Sequence, residues 1–289
     1  MILRLRERTL DLSEPLLMGI LNATPDSFSD EQRPKSLDEL AERGRELAKE
    51  GAAIVDVGGE SGRTDRAAVS VDEEAERVVP LVERLAPDGM FVSVDTWRAP
   101  VARRALAAGA AMINDVSGLS DPELADACAE GGAALVITHT RTPPKTKAFP
   151  EYEDVVEDVV AFLDERVEFA CARGVDEDQI VLDPGIDLAK TPAESVELLR
   201  ALPRLAERGL PLLLAVSRKD FVGALTGQPP AARDPGTLAA IGAGLRGGAH
   251  ILRVHDVAGA RDYLNVHDAL ENGAEHSLEL TEGLRREVL

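Results

Sequence analysis

The sequence has 289 residues, 44% of them hydrophobic, and its 32 basic against 52 acidic side chains give a formal net charge of −20. A surface of that sign repels polyanions, which excludes a general nucleic-acid or anionic-membrane binder and limits any anionic ligand to a small one held by a local group of cations. No apolar run approaches the ~20 residues of a membrane helix and the N-terminus lacks the apolar stretch of a secretory signal, so a cytoplasmic location is expected.

In chain order, short apolar runs occupy 16–22, 53–58, 91–96, 110–116, 134–140, 180–185, 211–217 and 249–256. Amphipathic, charged segments of helical period alternate with them at 37–50, 72–86, 100–108, 123–131, 155–173, 193–207, 238–246 and 258–270. Alternation of this kind implies parallel strands joined by crossover helices, and runs so uniformly apolar suit strands covered on both faces. Eight such units predict a closed (β/α)₈ TIM barrel, an α/β fold of one domain over 1–271, with 272–289 as an extra helix or tail. Cys128 and Cys171 lie in the helical patterns and are expected as core or half-buried thiols outside any disulfide framework.

In such a barrel the chemistry belongs at the carboxyl ends of the strands. Those ends read Asn22; Asp56 with Glu60; Asp95; Asn114 with Asp115; His139; Asp183; Ser217, Arg218 and Lys219; then Arg253, His255 and Asp256. Converging carboxylates and amides, with no Cys or His cluster at metal-ligand spacing, suit recognition of a polar planar molecule and argue against a zinc site. Lys219, Arg253 and His255, with Arg63 from the loop after the second run, form an expected phosphate-binding edge.

Other features read as structural. GIDLAKT at 185–191 lacks the spacing of a phosphate-binding P-loop. Gly242, Gly244, Gly247 and Gly248 lie on a helix without the dinucleotide fingerprint, so close packing or a cap is expected. Ser217 lacks an evident His and carboxylate pair, which favours a loop role over a nucleophile. The acidic helix around 72–76 is expected as a solvated face, and His250, His267 and His276 are assigned no chemistry.

The strand-end motifs are LNATPDSFSD at 21–30, GAAIVDVGGES at 51–61, VSVDT at 92–96, INDVSG at 113–118, DPGI at 183–186, SRK at 217–219 and RVHD at 253–256. In this order, over nearly the whole chain, they resemble the dihydropteroate synthases, barrel enzymes of folate biosynthesis. The resemblance implies a homodimeric transferase that joins a pterin-methyl diphosphate to para-aminobenzoate and releases diphosphate. It further implies that Asp95, Asn114, Asp183 and Lys219 bind the pterin, with Lys219, Arg63 and Asp95 taking part in catalysis. Asn22, Arg63, Arg253 and His255 would hold the diphosphate, Asn22 also standing near Mg²⁺. Physically, carboxylates accept from the N–H groups of a guanidine-like edge while an amide both donates and accepts, which fits a pterin's mixed pattern.

The chain also departs from that family. Ser61-Gly62-Arg63-Thr64-Asp65 replaces the usual Ser-Thr-Arg-Pro-Gly, Asp187-Leu188-Ala189-Lys190 replaces Gly-Phe-Gly-Lys, and Asp220 replaces a serine. Glu31-Gln32 stands for two glycines, and Thr138-His139-Thr140 for Met-His-Met. By resemblance Gly62, Thr64, Leu188 and Asp220 surround the acceptor, so para-aminobenzoate is expected to bind more weakly than the pterin. The alternatives are a paralogue that keeps the pterin-diphosphate site but uses another acceptor or only binds pterins, and a methyltetrahydrofolate-binding module serving a corrinoid protein. The SRK and RVHD cations argue against the last, because a methyl-folate carries no diphosphate.

Overall fold

A computed structural model describes residues 1–24, 36–60 and 67–273. The chain opens with an antiparallel hairpin, β1 (Ile2–Leu5) and β2 (Arg8–Asp11), which the sequence pattern does not predict. Eight parallel strands follow: β3 (Leu16–Asn22), β4 (Ala52–Gly58), β5 (Phe91–Asp95), β6 (Met112–Asp115), β7 (Ala134–Thr138), β8 (Ile180–Asp183), β9 (Leu213–Leu214) and β10 (Ile251–Val254). Their order is β8-β7-β6-β5-β4-β3-β10-β9, and a parallel bridge between Leu182 and Leu212 joins the two ends into a barrel.

The crossover helices are α1 (Leu37–Glu50), α2 (Val71–Leu85), α3 (Ala99–Ala107), α4 (Glu123–Gly131), α5 (Val155–Ala172), α6 (Pro192–Arg200), α7 (Leu202–Ala206), α8 (Asp220–Thr226), α9 (Asp234–Arg246) and α10 (Val257–Glu271). Local signals fix their ends. Ser36 with Glu39 and Thr191 with Glu194 form capping boxes on α1 and α6, and Asp256 caps α10 by accepting from Gly259 N–H. The single helix expected over 193–207 breaks at Ala201, because Pro203 cannot donate to a continuing ladder and starts a new helix instead. The short helix α8 was not foreseen either.

Two apolar layers hold the barrel. The larger lies between strands and helices; the smaller fills the barrel interior, where Met18, Ile54, Met112, Val136, Val181, Leu213 and Ile251 meet Leu3, Leu5 and Leu12 from the hairpin segment. The hairpin thus closes the end of the barrel opposite the strand carboxyl termini. The glycines of α9 are packing residues as expected: a Cβ at Gly244 would collide with Leu214 Cδ2, and one at Gly242 with Tyr263 Oη.

Two expectations are overturned. Cys128 is buried, but Cys171 is exposed on α5, away from the face that carries Phe162, Leu163 and Val167. The helix around 72–76 is not wholly solvated, since Glu74 is fully buried and paired with Arg98. Of 272–289, only residues 272 and 273 fall among those described. No helix among the described residues is long and apolar enough to cross a membrane.

Candidate active site

The carboxyl ends of the strands surround a cavity of about 510 Å³. Asn22, Asp95, Asn114, Asp183, Lys219, Arg253 and His255 all line it, as do Leu188 and Asp220. Gly62, Arg63 and Thr64 lie outside the described residues.

At its floor the Arg253 guanidinium crosses from β10 to the carboxylates of β4 and β5, with Nε 2.6 Å from Asp56 Oδ2 and Nη2 2.8 Å from Asp95 Oδ2. Burial works against this charge, yet Asp56 and Asp95 hold Arg253 above its ordinary pKa. Burial pushes Asp95 up to about 7, against the pull of Arg253. Asn114 Nδ2 donates to Asp56 Oδ2 at 3.1 Å, while Asn114 Oδ1 is buried with no hydrogen-bond partner. A buried acceptor left open in this way is a place for a ligand's N–H. The neighbouring Asp115 serves the turn instead, accepting from Ser117 N, Ser117 Oγ and Leu119 N.

Asp183 accepts from Gly185 N at 2.8 Å, and burial raises its pKa against that bond and the charge of Lys219. Burial lowers the pKa of Lys219, with Asp187 and Asp183 opposing. His255 was grouped with the cations, and here the structure corrects the reading: burial, then Arg218 and Arg253, pull it down to about 4, so it is neutral near pH 7. Ser217 has a histidine partner after all, its Oγ lying 2.9 Å from His255 Nδ1 and accepting from His255 N at 3.2 Å. A hydroxyl both donates and accepts, so the contact fixes the orientation of the imidazole whichever ring nitrogen carries the proton. Ser217 therefore positions the His255 ring.

Several contacts around the cavity, and part of its wall, escaped the sequence reading. Lys190, almost fully buried, places Nζ 2.8 Å from His139 Nδ1 and 3.0 Å from each of the carbonyls of Gly185 and Leu188. His139 Nε2 lies 2.9 Å from Asp158 Oδ2, and Asp158 also takes a two-point contact from Arg141. Burial and then Lys190 pull His139 down to about 3. Just past the carboxyl end of β4, Arg98 bridges the buried Glu60 and Glu74, and Lys145 reaches Glu60 at 3.3 Å. Trp97, Lys145, Lys147 and Phe149 join the cavity wall. Asp220 points mostly to solvent and pairs with Arg233 at 3.0 Å, so its charge is compensated.

Comparison with known proteins agrees with this geometry. Residues 18–255 match the family model described as pterin binding enzyme. Dihydropteroate synthase of Bacillus subtilis is 42% identical over 259 residues, covering 89% of each chain. The chain belongs to the dihydropteroate synthase family. The synthase of Escherichia coli K12 is 38% identical over 270 residues, 93% of this chain and 96% of that one. Xanthomonas albilineans dihydropteroate synthase with 4-aminobenzoic acid superposes with a TM-score of 0.87 at 42% identity, covering 94% of this chain and 99% of that chain. The same enzyme in complex with 7,8-dihydropteroate gives a TM-score of 0.84 at 42% identity over 93% and 98%. Of the strand-end residues that carried the resemblance, Asn22, Asp95, Asn114, Asp183, Lys219, Arg253 and His255 line the cavity.

Proposed function

We infer that this chain condenses 6-hydroxymethyl-7,8-dihydropterin diphosphate with para-aminobenzoate, releasing diphosphate. The single observation that carries the reading is the open buried acceptor Asn114 Oδ1 set between the carboxylates of Asp95 and Asp183. The bound 4-aminobenzoic acid and dihydropteroate of the matched synthases support the acceptor and the product.

Asp95, Asn114 and Asp183 bind the amino-pyrimidinone edge, and Lys219 meets the other side of the ring. Unpaired buried polar groups penalise a ring with the wrong donor pattern. Arg253 and His255 hold the diphosphate together with Arg63. Donors placed where charge develops stabilise the leaving group as the C–O bond breaks. The pterin delocalises the positive charge left on its methylene, the arylamine nitrogen forms the new C–N bond, and the amine then gives up its proton. No protein nucleophile takes part.

Among the described residues no group of acidic, His or Cys side chains is built to hold a metal by itself. A lone amide oxygen fits Mg²⁺ only in company with phosphate oxygens, because that ion keeps waters and takes one or two protein ligands beside a phosphate. Asn22 is the residue that would hold it, and the bound ion would offset charge on the diphosphate. Leu188 and Asp220, with Gly62 and Thr64, border the acceptor; the pairing of Asp220 with Arg233 reduces its opposition to a benzoate. A cytoplasmic homodimer with the barrel over 1–271 completes the proposal.

The test is turnover of the pterin diphosphate with and without para-aminobenzoate, following both diphosphate and dihydropteroate. Both products are expected in equal amounts, and only when the acceptor is present. Diphosphate released without dihydropteroate would select the paralogue reading.

A further inference from the structure

The loop after β8 carries a carboxylate that the reaction does not use. Asp187 sits at φ 62°, a left-handed conformation that costs a residue with a Cβ and that glycine adopts freely. In the family pattern a glycine stands there, so the aspartate is a feature of this chain. Its side chain is fully engaged. Asp187 N donates to Ser195 Oγ at 3.1 Å, and Ser195 Oγ donates back to Asp187 Oδ1 at 3.0 Å; Ser195 itself is completely buried on α6. The second oxygen, Oδ2, accepts from the backbone N–H groups of Asp220 and of Phe221, the first two residues of α8.

Those N–H groups follow directly on Lys219. The carbonyl of Lys219 is held from the other side, 3.1 Å from Arg233 Nη1, which also contacts the Arg218 carbonyl and Asp220 Oδ1. The peptide that carries the lysine is therefore gripped at both ends, by Asp187 and by Arg233. The loop offering Asp187 is itself braced, since Lys190 Nζ binds the carbonyls of Gly185 and Leu188 and the ring of His139.

We propose that Asp187 is a positioning residue for the pterin site, its carboxylate tying the start of α8 to α6 so that Lys219 is fixed in the cavity beside Asp183. The proposal rests on the reading above that Lys219 contacts the pterin. A carboxylate here acts in two ways: it accepts the two amide bonds that set the backbone, and it joins Asp183 and Asp220 as an anionic neighbour of the half-buried Lys219 ammonium, against Arg253.

Three variants separate these effects. Asp187→Gly removes the clamp and places at φ 62° a residue that adopts it freely, so the fold is retained, which an unchanged circular dichroism spectrum checks. Pterin affinity, read by calorimetry with 6-hydroxymethylpterin, is expected to fall about tenfold or more with loss of the charge-assisted contacts. KM for the pterin diphosphate rises while KM for para-aminobenzoate changes less. Asp187→Asn keeps an acceptor oxygen and restores most of the affinity near pH 7, but its alkaline limb of activity moves to lower pH because Lys219 has lost a counter-charge. Lys219→Ala is the control on the underlying reading. If Lys219→Ala weakens the pterin and Asp187→Gly binds it like the parent, the positioning role is wrong and the site assignment stands. If Lys219→Ala binds the pterin normally, both fall. An asparagine variant as weak as the glycine variant, with an unmoved alkaline limb, also overturns the role, because neither the bonds nor the charge would then matter.

Discussion

Asp183 spends one oxygen on the turn that follows it and lines the cavity with the rest of its carboxylate. Asp183→Asn keeps an acceptor for Gly185 N–H but presents an amide where the pterin needs an acceptor. Its pterin affinity is expected to drop by about 1.5–3 kcal/mol, the worth of a charged hydrogen bond, with the melting temperature unchanged. Calorimetric titration decides; parental affinity in the folded variant removes Asp183 from the site. His255 gives a second prediction. The folded group titrates at about 4, and an anion placed against it must raise that value. Diphosphate binding near pH 5 to 6 is therefore accompanied by proton uptake, which calorimetry in two buffers of different ionisation enthalpy measures. The uptake assigned to this ring disappears in His255→Asn.

At the scale of elements, a buried ionic contact ties the segment after β4 to α2 and α3. Arg98, at the start of α3, bridges Glu60 after β4 and Glu74 on α2. Burial raises the pKa of Glu74 even with Thr96 and Arg98 beside it. Arg98→Met leaves two buried carboxylates without their shared cation, and roughly 3–5 kcal/mol of stability is expected to go, as for breaking a buried pair. Urea unfolding measures it, and a loss under 1 kcal/mol would mean the carboxylates are paired elsewhere. The His139 contact has a pH signature. Its pKa is about 3 in the fold against an ordinary value of 6.5, so between those limits the unfolded chain binds the extra proton. The contribution of His139 to stability is present above pH 6.5 and lost as pH falls toward 3. His139→Gln lacks this slope, and the parent's advantage over it should shrink between pH 7 and pH 5; an advantage that is constant or grows would show that His139 is not held neutral.

For the molecule as a whole, the net charge of −20 and the cationic edge of the cavity pull in opposite directions. Screening confines the general repulsion, while Arg253, in the role proposed for it, would act on the diphosphate at short range. Diphosphate is expected to bind, and more tightly with Mg²⁺. Mg²⁺ alone should bind weakly, since Asn22 is a neutral ligand. Titration of the ligand-free protein with Mg²⁺ checks this, and a tight site in the absence of diphosphate would contradict the role given to Asn22.

The alternation of strand and helix, the eight-unit barrel and the polar residue closing each strand were legible along the chain, because period, length and strand ends are local properties. Asn22, Asp95, Asn114, Asp183, Lys219, Arg253 and His255 could be named in this way, and they do line one cavity. Their partners could not. Arg253 lies 197 positions from Asp56 and 158 from Asp95, and their ion pairs exist only because closure of the barrel brings β10 across from β4 and β5. Glu74, on a helix face that reads as solvated, is buried where Arg98 joins it to Glu60, and desolvation at the cavity holds His255 below its ordinary pKa. The β1 and β2 hairpin was missed because four-residue strands carry little periodicity; its place under the barrel follows from the apolar interior that Leu3 and Leu5 cover. Sequence by itself determined the architecture and the chemical types gathered at the strand ends. Tertiary structure decided which of those groups are paired, which are charged and which acceptor is left open for a ligand, since these depend on distance and desolvation that appear only when remote segments meet.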